Sequence, residues 1–288
     1  MKTLKAWIEA MRLRTLPVSL AGVIFAVGIT VKSDSFAWIP TLMCLAFALL
    51  AQIASNFANE YYDFRDGLDR QGREGPRRGV TEGDITPQAM LAATFITLGI
   101  ACVTGVALVA IYGRWWMYVA GVVTALGVVA YSAGPWPLSR IGLGEVAVVV
   151  FFGIVPVSLT CLLMMPTISM GIFLSSVGVG LMGANVLIVN NYRDADDDLA
   201  VGKKTLAVRF GRRLVSRLYL VNGYLAVVLT FRLWLALPTA TWIVPIAFLI
   251  VHTALYRALV SRHGRALNPL LGMTSLLMLA YALGYLIA

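Results

Sequence analysis

Apolar residues along the chain gather into long runs that are separated by short polar connectors. A helix that crosses the hydrocarbon core of a bilayer needs about 20 mostly apolar residues. Nine runs of about this length occur, at 16–32, 37–59, 88–112, 115–133, 142–165, 168–191, 214–235, 238–257 and 268–287. The pattern predicts an all-α, multi-pass transmembrane bundle of about nine helices, with residues 1–288 forming a single integral-membrane domain.

The composition supports this prediction and excludes an ordinary soluble domain. Of the 288 residues, 59% are hydrophobic and 13% are charged, whereas soluble domains have roughly 45–50% apolar and about 25% charged residues. The net charge of +9 is also found in nucleic-acid-binding proteins. In a membrane protein, however, the position of each charge matters more than the sum, and we predict no nucleic-acid partner.

Lys and Arg residues are distributed unevenly between the predicted loops. With nine spans and the N-terminus inside, 20 of the 23 Lys and Arg residues fall on one side. Because cytoplasmic loops are enriched in these residues, the N-terminus is predicted to face the cytoplasm. The first apolar run is interpreted as a retained span rather than a signal peptide, since no cleavage site follows it. The predicted location is the cytoplasmic (inner) membrane of the cell, with membrane lipid as a partner.

The acidic residues are concentrated in two of the predicted cytoplasmic loops. Eleven of the 14 Asp and Glu residues lie in segments 60–84 and 194–198. Asn59 and Asp63 are four residues apart, so they share one face at the end of a helix. Gly67 is predicted to end that helix and to let Asp69 turn back toward the same site.

The second acidic segment repeats this spacing on another helix. Asn190, Asp194 and Asp198 form a row at positions i, i+4 and i+8. Oxygen ligands without His or Cys favour Mg²⁺, which typically binds carboxylates together with substrate phosphates. Basic residues suited to a diphosphate lie nearby, namely Arg65, Arg70, Arg77, Arg78, Lys203, Lys204 and Arg209.

These two rows predict a Mg²⁺-diphosphate site at a membrane surface, although solvated loops of mixed charge remain an alternative. A diphosphate site that opens into apolar helices suits a substrate with a polyanionic head and a lipid tail. An allylic diphosphate meets this description. Mg²⁺ and cationic side chains would stabilise its departing pyrophosphate.

Several motifs extend over most of the chain. They occupy Arg12–Pro17, Asn59–Asp69, Tyr131–Leu138 with Gly142–Glu145 and Phe151–Gly153, and Asn190–Arg209. Together they resemble the UbiA superfamily of intramembrane prenyltransferases, most closely the branch that prenylates 1,4-dihydroxy-2-naphthoate in menaquinone synthesis. The most specific motif is the last, in which Asn-Asn-x-Arg-Asp precedes Gly-Lys-x-Thr-Leu-x-Val-Arg. Within the second motif, Glu60 replaces the Asp that usually follows Asn59.

This resemblance implies an activity. An all-trans polyprenyl group would pass from polyprenyl diphosphate to 1,4-dihydroxy-2-naphthoate, with loss of CO₂ and pyrophosphate, giving demethylmenaquinol. By resemblance, Asp63, Asp69, Asp194 and Asp198 are predicted to be catalytic and to hold two Mg²⁺ ions. The predicted substrate-binding residues are Asn59, Arg65, Lys203, Arg209, Tyr131, Arg14 and Asn190.

Alternative interpretations remain open for the function and for one residue. Within the superfamily, another aromatic acceptor such as 4-hydroxybenzoate is the second hypothesis. Outside it, a secondary transporter with a pseudo-repeat is possible, but transporters hold their ionisable groups near the bilayer midplane. Glu145 is interpreted either as a functional residue inside the membrane or as a helix-entry residue that reaches water.

Overall fold

The computed structural model describes residues 2–72 and 74–288, and no strand occurs among them. Nine of the helical segments correspond to the nine predicted apolar runs. The eleven α-helices of the described residues are α1 (Lys2–Ala10), α2 (Leu16–Lys32), α3 (Trp38–Arg65), α4 (Pro87–Tyr112), α5 (Met117–Ala130), α6 (Gly144–Val148), α7 (Val155–Met164), α8 (Met170–Ala200), α9 (Leu206–Leu235), α10 (Ile243–Ser261) and α11 (Asn268–Ile287). A π-helical segment, Val149–Ile154, joins α6 to α7.

Seven helical segments within the described ranges are long and apolar enough to cross a bilayer, counting α6–α7 as one. Helices α2 and α5 are also apolar but shorter, with 17 and 14 residues. The predicted all-helical, multi-pass membrane architecture is therefore confirmed.

Three helices are longer than the apolar runs predicted. Helix α3 continues to Arg65 and α8 continues to Ala200, so the first turn and a half of segment 60–84 and the whole of segment 194–198 are helical, in agreement with the Asn-to-Asp spacing. Helix α9 begins at Leu206 and bends at Gly211, where φ is +78°. The apolar runs mark only the bilayer-spanning part of each helix, and the polar turns that extend beyond it lack this signal.

Helix α8 lies at the centre of the bundle. In its most apolar window, 72% of the residues are buried inside the protein, compared with 22% for α3. Close approach to the π-helical segment requires glycine, because a Cβ atom on Gly180 would lie 2.5 Å from the carbonyl oxygen of Val149. Small residues allow helix backbones to come this near in membranes. The central position of α8 holds its acidic C-terminal turns against the rest of the bundle.

Candidate active site

The acidic ends of α3 and α8 meet in the folded protein. Lys203, in the connector after α8, places its Nζ 3.0 Å from Oδ2 of Asp63 and 3.8 Å from Oδ1 of Asp198. Both carboxylate residues are buried, with exposed fractions of 1% and 7%. Two rows that are far apart in the sequence therefore face each other across one ammonium group.

The row on α3 is connected by hydrogen bonds. Asn59 Nδ2 donates to Asp63 Oδ2 at 3.3 Å and to Ser132 Oγ at 3.2 Å. Its Oδ1 accepts from Arg78 Nη2 at 3.1 Å and also from Arg12 Nη2. The structure thus places Asn59 and Asp63 on one face and brings two guanidinium groups to the same amide oxygen.

Asp69 reaches this site indirectly. Helix α3 ends at Arg65, and Gly67 adopts a φ of +68°, which lets the chain turn. Asp69 Oδ2 then lies 3.4 Å from Nε of Arg78, with 1% of the Asp69 side chain exposed. Asp69 does not line the polar cavity described below, but its partner Arg78 does.

Glu60 faces the loop that follows α3 rather than the cavity. Its Oε1 accepts a hydrogen bond from the backbone N–H of Val80 at 3.1 Å, and its Oε2 lies 3.9 Å from Nη1 of Arg78. The residue is 1% exposed. The structure therefore gives Glu60 the geometry of a loop anchor.

The row on α8 has a different support. Asp194 accepts hydrogen bonds from Nε and Nη2 of Arg193 at 2.7 and 2.8 Å. Arg193 also donates to Oδ1 of Asn190 at 2.8 Å and to Oδ1 of Asn268, in α11, at 2.9 Å. Because the Arg193 side chain is only 1% exposed, this network belongs to the protein interior.

Both rows line one polar cavity of about 150 Å³. A larger apolar cavity of about 320 Å³ lies next to it, between α2, α3, α4, α5 and α6–α7. The space is amphipathic, with acids and cations at one end and apolar side chains at the other. The two cavities share the lining residues Gln52, Ser55, Tyr131, Val148 and Phe152.

Three of the predicted substrate-binding residues do not line the polar cavity. Arg14, Arg65 and Arg209 are exposed. Arg65 Nε instead donates to Oδ1 of Asp66 at 2.7 Å, and this hydrogen bond holds the pKa of Asp66 below its usual range. The remaining predicted substrate-binding residues, Asn59, Tyr131, Asn190 and Lys203, line the polar cavity.

Other cations occupy the site instead. Arg12 and Arg78 line the polar cavity, and Arg140 places its Nη2 3.3 Å from Asp63 Oδ1 and its Nη1 2.5 Å from Asp66 Oδ2. The sequence contained little information to distinguish these arginines from their neighbours. Arg12 and Arg14 belong to the same short motif, and the many Arg residues after α3 have no spacing that separates one from another.

The acids fit a cation bound together with a phosphate. Among the described residues, no three His, Cys, Asp or Glu side chains converge on a ready-made metal centre. Asp63 and Asp198 flank an ammonium group instead, so the space between them favours positive charge. Mg²⁺ usually takes only one or two carboxylates and completes its octahedron with water and substrate phosphates, and these residues fit that requirement.

A helical membrane bundle with an acidic, amphipathic site is typical of an intramembrane enzyme. Comparison with known families identifies the family. The model of the UbiA prenyltransferase family matches residues 15–271. The chain therefore belongs to this family, and the predicted resemblance is confirmed.

Curated relatives cover most of the chain. A 1,4-dihydroxy-2-naphthoate octaprenyltransferase from Mycobacterium tuberculosis is 35% identical over 288 residues, which cover 98% of this chain and 96% of the relative. A protein of the same name from Escherichia coli is 35% identical over 237 residues, covering 80% of this chain and 77% of the relative.

Solved structures share the fold at low sequence identity. A UbiA homolog from Aeropyrum pernix K1 has a TM-score of 0.71 at 14% identity, covering 95% of this chain and 96% of that one. A homolog from Archaeoglobus fulgidus bound to DMAPP and Mg²⁺ has a TM-score of 0.69 at 15% identity, covering 98% of this chain and 99% of that one. These likenesses establish the arrangement of the helices.

Proposed function

We propose that this protein transfers an all-trans polyprenyl group from polyprenyl diphosphate to 1,4-dihydroxy-2-naphthoate. The products would be pyrophosphate, CO₂ and demethylmenaquinol, an intermediate of menaquinone biosynthesis. The observation that carries this proposal is the junction of an acidic polar cavity with an apolar cavity. The choice of acceptor rests on relatives at 35% identity that are named for this substrate.

The diphosphate head belongs in the polar cavity. Asp63, Asp194 and Asp198 would hold Mg²⁺ there, with Asp69 supporting them through Arg78. When bound, Mg²⁺ neutralises the charge that develops on the leaving pyrophosphate. Lys203 and Arg78 line the same cavity and supply cationic donors for the phosphate oxygens.

The prenyl chain belongs in the apolar cavity, which excludes water from the reactive end of the chain. The allylic carbon then lies at the junction, near Tyr131 and Phe152. Its bond to the diphosphate oxygen breaks, with the electron pair leaving on pyrophosphate. The ring carbon that carries the acceptor carboxylate forms the new carbon–carbon bond. Loss of CO₂ returns the electrons of the broken bond to the ring and restores its aromaticity.

We also propose that the site faces the cytoplasm in the cytoplasmic membrane. The support is the uneven distribution of Lys and Arg, of which 20 of 23 are assigned to the same side as the acidic ends of α3 and α8. Placing the acids at helix ends also argues against a transporter, whose ionisable groups lie near the midplane.

The activity can be tested with the purified protein in detergent. Incubation with 1,4-dihydroxy-2-naphthoate, a polyprenyl diphosphate and Mg²⁺ is expected to yield demethylmenaquinol and CO₂, and chelation of Mg²⁺ with EDTA should abolish both. Asp198→Ala should lose the activity. Asp196→Ala is the matched control, because the Asp196 side chain is 85% exposed and pairs with Arg212 at the surface.

Two outcomes would contradict the proposal. Undiminished product after chelation, or in Asp198→Ala, would exclude the proposed role of Mg²⁺ and of the acidic rows. Product with 4-hydroxybenzoate but none with 1,4-dihydroxy-2-naphthoate would contradict the proposed acceptor, whereas the proposed prenyl transfer would still hold.

A further inference from the structure

We propose that Asn191, oriented by Glu145, binds a ring hydroxyl of the aromatic acceptor beside the site of bond formation. This inference rests on the proposed function and deepens it, because it names the groups that recognise the acceptor. It starts from a buried carboxylate that the mechanism above does not use.

Glu145 lies in the first turn of α6 and is 7% exposed. Its Oε1 accepts a hydrogen bond from Asn191 Nδ2 at 2.9 Å. Its Oε2 is buried without a hydrogen-bond partner in the described part of the chain. An unsatisfied buried polar group is costly, so its retention calls for a reason.

The hydrogen bond to Glu145 fixes the orientation of the Asn191 amide. Since the NH₂ group of Asn191 donates to Glu145, the Oδ1 atom is left for another partner. Asn191 lines the polar cavity, and no hydrogen bond to its Oδ1 is made by the described residues. An amide oxygen accepts hydrogen bonds and does not donate them, so it suits a hydroxyl and does not suit a phosphate or carboxylate oxygen.

The pair stands between the acids and the apolar cavity. Asn191 precedes Asp194 by three residues, which places it about 4.5 Å further into the bundle along α8. Val148, one turn after Glu145 on α6, lines both cavities. Tyr131, also shared by the two cavities, has its hydroxyl 3.6 Å from the position of a Cβ atom on Gly144. The acceptor must meet the allylic carbon at this junction.

The chemistry of the acceptor explains why a hydroxyl is the group to bind here. In 1,4-dihydroxy-2-naphthoate, one hydroxyl is attached next to the carbon that reacts. As the new bond forms, electron density moves from this oxygen into the ring and the hydroxyl becomes more acidic. Its hydrogen bond to Asn191 Oδ1 therefore strengthens in the transition state, which is the requirement for an interaction that raises kcat. The proton stays on the hydroxyl, so no further acid or base is needed.

Ligand analogues can test this inference by binding alone. The ligands are 1,4-dihydroxy-2-naphthoate and 4-hydroxy-2-naphthoate, which lacks the hydroxyl next to the reacting carbon. Their Kd values are measured by calorimetry with Mg²⁺ and inorganic pyrophosphate present. We expect the wild-type protein to prefer the dihydroxy compound by about 10-fold, the effect of one well-formed hydrogen bond. Asn191→Ala should bind both compounds alike, and so should Glu145→Ala.

Two further variants separate positioning from folding. Glu145→Gln keeps an oxygen that accepts from Asn191, and it should retain most of the preference. Asn185→Ala is the matched control, since Asn185 is a buried Asn on the same helix that bonds the backbone carbonyl of Tyr219 at 3.1 Å. It should retain the full preference, even if its unfolding temperature falls. The KM for polyprenyl diphosphate should stay within about two-fold of the wild-type value in Asn191→Ala, because the lost hydrogen bond goes to the acceptor.

Several results would overturn the inference. A wild-type protein without preference between the two naphthoates would do so, whatever the variants show. A full preference in folded Asn191→Ala, or an increase in KM for the prenyl diphosphate equal to that for the acceptor, would do so as well. If the wild-type protein prenylates 1,4-dihydroxy-2-naphthoate in any of these cases, only the inference fails. If it prenylates no acceptor, the proposed function itself fails.

Discussion

The acidic ends of α3 and α8 line the same cavity, but the protein supports them in different ways. Helix α8 is mostly buried, and Asp194 is held by its own neighbour Arg193 in the interior. Helix α3 is mostly at the periphery, and Asp63 obtains its cations from the distant residues Arg140 and Lys203. The cation that pairs with Asp194 therefore comes from the same core helix, whereas the cations that pair with Asp63 come from connectors. This difference predicts that substitutions in the two halves separate stability from activity.

Asp194→Ala should have the largest effect. It removes a cavity carboxylate and leaves the buried Arg193 guanidinium without its charged partner. Loss of one partner of a buried pair costs about 3–5 kcal/mol, and loss of transition-state charge stabilisation lowers kcat by about 100-fold or more. Thermal unfolding in detergent and the prenyl transfer assay measure the two effects. Asp194→Asn, which keeps an oxygen for Arg193, should recover part of the stability without recovering the activity.

Asp63→Ala should reduce kcat by a similar factor of about 100 with a smaller loss of stability. After the substitution, Lys203 still has Asp198 as an acidic partner and Arg140 still has Asp66. Neither cation is therefore left without an acidic partner. The free energy of unfolding should fall by about 1 kcal/mol, as for an ordinary point mutation. Equal destabilisation by Asp63→Ala and Asp194→Ala would show that the two halves are supported alike.

Glu60→Ala should affect stability more than catalysis. It leaves the backbone N–H of Val80 without its acceptor, which costs about 1–3 kcal/mol for a buried group. Because Glu60 does not line the polar cavity, kcat should fall by less than about 10-fold, far less than the loss for a cavity carboxylate. Glu60→Gln retains an acceptor oxygen and serves as the control in the same unfolding and activity measurements. A loss of activity as large as that of Asp63→Ala would instead assign Glu60 to the metal site.

Arg65→Ala and Arg209→Ala should have the smallest effects. Both side chains are exposed and lie outside the polar cavity, so stability should change by no more than about 0.5 kcal/mol. Arg78→Ala is the comparison, because Arg78 contacts Asn59 and Asp69. We expect its kcat/KM for prenyl diphosphate to fall by about 10-fold or more, since hydrogen bonds to charged groups are worth about 1.5–3 kcal/mol. Equal losses of kcat/KM in all three variants would mean that these arginines act only through their positive charge and not through specific contacts.

Much of the fold was predictable because a membrane span is visible in the local sequence as a long run of apolar residues. The nine apolar runs match nine helical segments, and Gly67 ends its helix as expected. The start of α9 was less predictable, since its polar first turns before residue 214 carry no apolar period. The π-helical segment, Val149–Ile154, also has no sequence signal of its own in this chain.

The sequence by itself determined the all-helical membrane architecture and the two rows of acids. Both follow from short-range periodicity: apolar runs of bilayer length, and side chains four residues apart on one helix face. Only the tertiary structure decided which arginines reach the site: Arg12 and Arg78 line the polar cavity and Arg140 contacts Asp63, whereas Arg14 and Arg65 are exposed. It also joined Glu145 to Asn191 across two helices. The physical reason is that these contacts depend on how distant helices and connectors pack, which local spacing does not encode.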